Sequence, residues 1–414
     1  PAENALNFNA KKIVLTFDEY VQLDQVRENL LVSPVPEKDP YVDYKLKTVT
    51  IKINDTLSPN TTYSINLGNA VNDVNEKNIY RNLTYTFSTG NYIDSLTLSG
   101  NVQLAETGAY DSTLTVLLYN NLIDSAVETQ KPRYIAKVDS SGNFYFKHLA
   151  SGTYNYYALK DGDGNKFYSN PKEIFAFADN TIEVNNDTTR IKLYAFAQEP
   201  EKPAPTKQAP EKKLKYISKV TSEEQDIQSN LVIDFNKKLK TFDSLKILLT
   251  DTLNNQLDDY NVSLDTTQKK VTVNYKWQMD SFYRLIILED FGSDSTGLKL
   301  EKTDTLKFKA KGETDYGSLK INFKNLDTSQ KTVLQFIKGT DVVKSYKLDN
   351  AKWSEQLFDP GEYQIRILYD TNDNGKWDPG DYKLKGQPEI VYPVKQKLSI
   401  RANWENERDI ELPK

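Results

Sequence analysis

The sequence predicts an all-β protein built from a two-module unit of β-sandwiches that occurs twice. Three observations carry this expectation. The 414 residues include 26 Tyr and 17 Phe, and Val, Ile and Thr cluster in short runs broken by Asn, Asp and Gly turns, the composition of pleated strands. No long stretch sustains a 3.6-residue apolar period, and the best helix candidate is the short segment from Leu23 to Leu30. Landmarks then recur in unchanged order at a near-constant offset. Val14-Leu15-Thr16-Phe17-Asp18 parallels Leu231-Val232-Ile233-Asp234-Phe235, and Asp94-Ser95-Leu96-Thr97-Leu98 parallels Gly317-Ser318-Leu319-Lys320-Ile321. Ser151-Gly152-Thr153-Tyr154 parallels Pro360-Gly361-Glu362-Tyr363, each followed by an acidic turn at Asp161 or Asp370. Such periodicity is the mark of duplication.

The first module spans 1–90. Its Pro59-Asn60 turn feeds a strand from Thr61, and Leu83-Thr84-Tyr85-Thr86-Phe87-Ser88-Thr89 closes it. The second spans 91–197, where the Ser141-Gly142 turn closes a hairpin and Gly152 leads the chain into the next strand. A Pro/Lys/Glu segment at 198–213 offers no apolar residue beyond Ala and Pro, so it reads as an extended linker. The third module, 214–312, and the fourth, 313–414, repeat the first two.

Composition also excludes chemistry. Without Cys there are no disulfides, thiolate nucleophiles or Cys-based zinc sites. The single His148 sits in Phe144-Tyr145-Phe146-Lys147-His148-Leu149, a strand or turn-edge position rather than a catalytic one. No phosphate-binding loop, serine elbow or metal triad is present, and the 58 acidic residues gather in no glycosidase-like pair beside aromatics. The net charge of −5, with no basic run, gives no footprint for nucleic acid. No apolar run is long enough to span a membrane. A non-enzymatic protein is expected.

The sharpest local motif is Asp370-Thr371-Asn372-Asp373-Asn374-Gly375-Lys376-Trp377-Asp378-Pro379-Gly380-Asp381. As a twelve-residue loop it offers Asp370, Asn372, Asn374, the Lys376 carbonyl, Asp378 and Asp381 as oxygen ligands for Ca²⁺, with glycine at the sharp turn. The alternative is a metal-free turn whose Asn and Asp side chains cap their own backbone, and the sequence leaves both open. The earlier copy, Asp161-Gly162-Asp163-Gly164-Asn165, has Lys166 at the glycine position and Ser169 and Lys172 at the later ligand positions. A plain turn is expected there.

Family resemblance adds to this reading. Ile13-Val14-Leu15-Thr16-Phe17-Asp18-Glu19, Leu57-Ser58-Pro59-Asn60-Thr61-Thr62-Tyr63 and Tyr85-Thr86-Phe87-Ser88-Thr89 resemble the bacterial Ig-like domain named after the S-layer protein SbsA. The likeness is weaker over 214–312, where Trp277-Gln278-Met279-Asp280-Ser281-Phe282-Tyr283 replaces the central turn. Asp139-Ser140-Ser141-Gly142-Asn143-Phe144-Tyr145-Phe146 and Phe358-Asp359-Pro360-Gly361-Glu362-Tyr363 resemble transthyretin-like or CnaB-like sandwiches, and the Asp370 loop resembles the calcium loops of dockerins and CnaB-type repeats. The whole order, with Tyr369-Asp370-Thr371-Asn372 and Arg401-Ala402-Asn403-Trp404, is similar to Ig-like-domain outer-membrane lipoproteins of Bacteroidota.

That resemblance implies an exported structural or binding subunit of an outer-membrane protein complex, with envelope proteins as partners and the cell surface as its expected face. Membrane contact would come only through an acylated cysteine upstream of Pro1. Asp-Ser/Thr triplets at Asp55, Asp94, Asp111, Asp124, Asp187, Asp243, Asp251, Asp265, Asp294 and Asp304 fit the O-glycosylation pattern of that phylum. The alternative is a surface glycan-binding module, for which Tyr154-Asn155-Tyr156-Tyr157 and Tyr363 are candidate aromatics, with core packing as their ordinary use.

Overall fold

A computed structural model describes residues 2–186, 190–199, 213–218, 220 and 223–412. The linker reading therefore lies, over 200–212, outside the described residues, as does the Asp187 triplet. The chain is all-β, and the helical segments among the described residues are single short turns. Alternation drives each strand: in Lys12–Thr16 and Thr48–Lys52, Ile13, Val49 and Ile51 are fully buried while their neighbours face outward. The expected helix at Leu23–Leu30 shrinks to one turn, Val26–Asn29. Its flanks are taken by strands Val21–Leu23 and Leu31–Ser33, which pair with Val71–Asp73 and Thr62–Asn66. Cross-strand pairing outweighs weak local helix preference here.

The duplication is visible strand by strand. In the first module one sheet runs Lys12–Thr16, Thr48–Lys52, Tyr41–Lys45, and a second runs Leu31–Ser33, Thr62–Asn66, Thr84–Ser88. The third module has Leu231–Phe235, Lys270–Asn274, Asn261–Leu264 and then Ile247–Thr250, Phe282–Ile287, Asp304–Ala310 in the same spatial orders. It adds Tyr216–Ser218 and Glu224–Gln225 at sheet edges. The Ser58 N–H donates to the Tyr63 hydroxyl at 2.9 Å, and the Gln278 N–H to the Tyr283 hydroxyl at 3.0 Å. The two turns differ in sequence and keep the same bond.

The second and fourth modules match equally well. Asn143–Leu149, Leu96–Leu104 and Ile191–Ala195 form one sheet, the last strand parallel to the central one; Lys352–Phe358, Gly317–Lys324 and Glu405–Glu411 repeat it. The facing sheets run Tyr134–Lys137, Thr115–Tyr119, Gly152–Leu159, Phe175–Phe177 and Asp341–Leu348, Thr332–Lys338, Gly361–Tyr369, Ile390–Ile400. At the turn that carries the chain from one sheet to the facing one, Tyr154 Oη donates to the Ala150 carbonyl at 2.8 Å and Tyr363 Oη to the Asp359 carbonyl at 2.9 Å.

Four apolar cores lie within 5–87, 96–195, 214–310 and 319–412. A fifth crosses module boundaries. In Thr115–Tyr119, Val116 and Leu118 face the sandwich interior, while Leu117 and Tyr119 face the opposite way and are buried too. Ile135, Tyr157, Leu159, Phe175 and Phe177 join them, so both faces of this sheet are covered. Leu31 and Val35 of the first module and Trp377 and Tyr382 of the fourth supply the cover. A sequence reading of two halves joined by a linker did not anticipate this contact.

Candidate functional site

The two acidic turns and the segment after the second form the most elaborated region outside the sandwich cores. Both turns fold alike because their first Asp caps the backbone ahead of it. Asp161 Oδ1 accepts from the N–H groups of Gly164 and Asn165 at 2.8 and 3.2 Å, and its Oδ2 from Lys166 at 2.8 Å. Asp370 Oδ1 accepts from Asp373 and Asn374 at 2.7 and 3.2 Å, and its Oδ2 from Gly375 at 2.7 Å. Lys166 and Gly375 hold the same place in the turn, so the substitution that weakened the first copy in sequence leaves its backbone pattern intact.

In the Asp370 turn, Asn372 Oδ1 accepts from Asn374 N at 3.1 Å and Asn374 Oδ1 from Lys376 N at 2.7 Å. The two amide nitrogens of Asn372 and Asn374 both donate to Asp378 Oδ2, at 2.7 and 2.5 Å. Asp370, Asn372, Asn374 and Asp378 are thus brought together. Asp381 is not: its carboxylate accepts from Leu384 N at 3.0 Å, and its backbone pairs with Gly386. The Lys347 ammonium beside Asp373 holds that carboxyl below its usual range.

The sequence missed the buried Glu389, which lies beyond the twelve-residue window. Glu389 Oε1 accepts from Thr371 N and Oγ1 at 2.7 and 2.9 Å, and its Oε2 from Asp378 N at 3.1 Å. Its carbonyl accepts from Trp377 Nε1 at 2.7 Å, which fixes the indole against the module.

Among the described residues, the one group of three carboxylates with ligand oxygens within 4.8 Å of one another is Asp161, Asp163 and Glu173, in the turn expected to be plain. Glu173 also accepts from Ser169 N and Asn170 N at 3.0 and 3.1 Å. In the Asp370 turn the position of Asp163 is the neutral Asn372, and the amides of Asn372 and Asn374 satisfy the Asp378 carboxylate. Donor chemistry in both turns is oxygen-only, as a hard cation requires.

The segment after the Asp370 turn hooks into the second module. Tyr382 is 4% exposed, with Tyr157, Tyr168, Phe175 and Phe177 ring centroids 6.0, 6.0, 5.1 and 5.2 Å away. Its hydroxyl donates to the Asp124 carbonyl at 2.7 Å and lies 3.3 Å from Tyr157 Oη. Burial, reinforced by the Tyr157 hydroxyl, pushes the phenol well above its usual range, so it stays neutral. Around it, Lys385 pairs with Asp124 at 3.0 Å and Gln387 Nε2 donates to Asp179 at 2.7 Å. Val391 N donates to the Ala105 carbonyl at 3.0 Å, and Arg366 Nη1 to the Glu106 carbonyl at 2.7 Å. Gly380 lies so close to Phe196 that a Cβ there would meet its ring at 2.6 Å. No sequence motif marks Tyr382 as a hook.

Elsewhere, His148 Nδ1 lies 2.9 Å from the Asp94 carbonyl, an acceptor, so that nitrogen carries the proton of the bond. Tyr154, Tyr157 and Tyr363 are buried, and Tyr156 is partly buried against the core of the second module. They pack cores and interfaces and offer no exposed glycan platform.

Residues 1–89 match the family described as bacterial Ig-like domain. No curated protein matches the chain. Among solved structures, it resembles the major pilin subunit BcpA of Bacillus cereus at 11% identity and TM-score 0.17, over 76% of this chain and 99% of that one. It also resembles the Bacillus anthracis TIE protein at 10% identity and TM-score 0.19, over 100% and 73%. Native alpha-2-macroglobulin from Escherichia coli, spanning domains MG0-NIE-MG1, matches at 11% identity and TM-score 0.21, over 46% and 91%. At these scores the structural likenesses carry no argument about this chain.

Proposed function

We propose that the chain is a non-enzymatic structural or binding subunit of an outer-membrane protein complex, carried as a lipoprotein on the surface of a Bacteroidota cell. The interlock of the second and fourth modules supports this reading most directly. A protein that presents surfaces gains from fixing its modules relative to one another, because a rigid arrangement lowers the entropy lost on binding a partner. The first module is fastened to the second by Val35 N donating to the Arg133 carbonyl at 2.9 Å and Lys137 Nζ to the Glu28 carbonyl at 2.6 Å. The third is fastened to the fourth by Lys311, which pairs with Asp359 at 2.9 Å, and by Tyr316 Oη, which donates to Asp226 at 2.7 Å. Each joint thus has specific polar contacts.

Calcium belongs to this proposal as a structural ion of the Asp370 turn. Asp370, Asn372, Asn374, the Lys376 carbonyl and Asp378 would hold it, and their oxygen chemistry fits. Asp381, committed to its own turn, is left out of the set. Binding would exchange the two Asn–Asp378 hydrogen bonds for oxygen–metal contacts and tighten the base of the hook.

The test is mild detergent extraction of native membranes followed by affinity capture and mass spectrometry. Stoichiometric recovery with integral outer-membrane proteins, together with cleavage by protease added to intact cells, is the expected result. Fractionation into the soluble cytoplasm, or migration alone on a native gel after extraction, would overturn the proposal.

A further inference from the structure

The first module carries a second feature, unrelated to the interlock, on the outer face of its sheet Lys12–Thr16, Thr48–Lys52, Tyr41–Lys45. Strand register sets three rows across that face: Lys12, Lys52, Tyr41; then Val14, Thr50, Asp43; then Thr16, Thr48, Lys45. Their neighbours Ile13, Val49 and Ile51 are fully buried on the opposite face, so these rows point outward. The turn that follows adds Leu46 and Lys47 beside Tyr20, around a shallow open depression. Tyr20, Tyr41 and Leu46 are 49%, 54% and 64% exposed.

Positive charge is concentrated on this face. On a chain of net charge −5, its three rows and the following turn gather Lys12, Lys45, Lys47 and Lys52 against Asp43, with the exposed Asp18 and Glu19 at the Tyr20 rim. None of these four lysines is ion-paired with a carboxylate among the described residues. Two lie over rings instead: Lys47 Nζ is 5.5 Å from the Tyr20 centroid and Lys52 Nζ is 5.4 Å from that of Tyr41. Lys47 also donates to the Asp18 carbonyl.

We infer that this face binds an anionic polysaccharide, with uronate carboxylates on the lysines and sugar rings against Tyr20 and Tyr41. Two lysines stand at each end of the strands, separated by roughly 13 Å at the usual rise per residue. One small anion cannot bridge that distance, and a chain of charged sugars can. Thr16 and Thr50 supply hydroxyl donors and acceptors for sugar hydroxyls, and Thr48, whose hydroxyl donates to the Lys45 carbonyl at 2.8 Å, supplies an acceptor. Exposed tyrosines present an apolar ring with a polar tip, suited to a ligand that is apolar on its ring faces and polar at its edges. The surface is open and runs across three strands, which fits an extended polymer better than a compact ligand. These features go beyond the scaffold reading and do not depend on it.

Affinity electrophoresis of the full chain through gels containing polygalacturonate tests the inference, with dextran, polyphosphate and oligo-dT as comparison ligands. Polygalacturonate should retard the protein, dextran should not, and retardation should weaken as salt rises. Lys45→Glu combined with Lys52→Glu should weaken binding at least about tenfold, and Tyr20→Ala with Tyr41→Ala about tenfold, the loss of one favourable ring contact or charge pair each. Melting temperatures should stay at the wild-type value, since these side chains are exposed. Lys192→Glu, on the second module, should leave binding unchanged. Absence of retardation of the wild-type chain, wild-type behaviour of the Lys or Tyr variants, or a loss with Lys192→Glu would each overturn the proposal. So would tighter binding to oligo-dT or polyphosphate than to polygalacturonate.

Discussion

Replacing Tyr382 with alanine should open the clasp between the second and fourth modules without unfolding either. An aromatic side chain buries about 150–250 Å², which at about 25 cal/mol per Å² amounts to roughly 4–6 kcal/mol. Truncations of buried aromatics cost about 3–5 kcal/mol, and the Tyr382 hydroxyl bond to the Asp124 carbonyl adds about 1 kcal/mol. A loss of about 4 kcal/mol weakens the docked state by roughly a thousandfold. The second and fourth modules have their own cores, so the loss falls mainly on docking. The assay is a protease site introduced into the 200–212 segment, cleavage, and gel filtration of the product. Cleaved wild-type halves should co-elute, cleaved Tyr382→Ala halves should separate, and Tyr382→Phe, which keeps the ring, should behave nearly as wild type. Separation of the cleaved wild-type halves, or undiminished co-elution of the alanine variant, would refute the reasoning.

Calcium should raise the melting temperature in step with its concentration, because a ligand bound only by the folded form stabilises it; Asp370→Ala should abolish this response and Asp161→Ala leave it intact. Loss of the response with Asp161→Ala instead would transfer the ion to Asp161, Asp163 and Glu173, and identical melting curves in chelator and calcium would leave both turns metal-free. Asp359 should make the joint between the third and fourth modules acid-sensitive. Burial pushes its pKa up, but hydrogen bonding and attraction from Lys311 and Lys344, at 2.9 and 3.1 Å, outweigh burial and hold it below the usual range. A depressed folded-state pKa means the stabilisation is present above about pH 4 and is lost as pH falls through the lowered value. Melting curves across acid pH should therefore show a decline that Asp359→Asn flattens, and an equal decline in that variant would exclude this source.

Much of the fold could be read from the sequence because it is written locally. Short runs rich in Val, Ile and Thr mark strands, and Gly142 and Gly152 mark turns that need few neighbours to form; the expected hairpin at Ser141-Gly142 is instead a turn between sheets, because Tyr134–Lys137 pairs with Thr115–Tyr119 and Asn143–Leu149 with Leu96–Leu104. The repeat of the Asp161 and Asp370 turns was legible for the same reason, since each first Asp caps N–H groups within five residues of itself. The donor set was less legible. Asp381 matched a ligand spacing, but the chain turns at Gly386 and spends that carboxylate on Leu384. Glu173 and Glu389 enter the turns from outside the motif window, and nothing in their spacing announces them.

Local pattern by itself determined that this is a duplicated all-β chain, because strand alternation and turn chemistry act over a few residues. Only tertiary structure decided that the two halves are clasped. Leu117, Tyr119 and Tyr157 break the usual exposure of a sandwich's outer face, and a run that is apolar on both sides cannot say what covers its second side. The cover comes from Leu31 and Val35 of the first module and from Trp377 and Tyr382 of the fourth, Tyr382 lying more than two hundred residues away from Tyr157, and burial of an apolar face is a non-directional demand that any suitably shaped segment could meet. Which segment does so is settled by the geometry of the assembled modules.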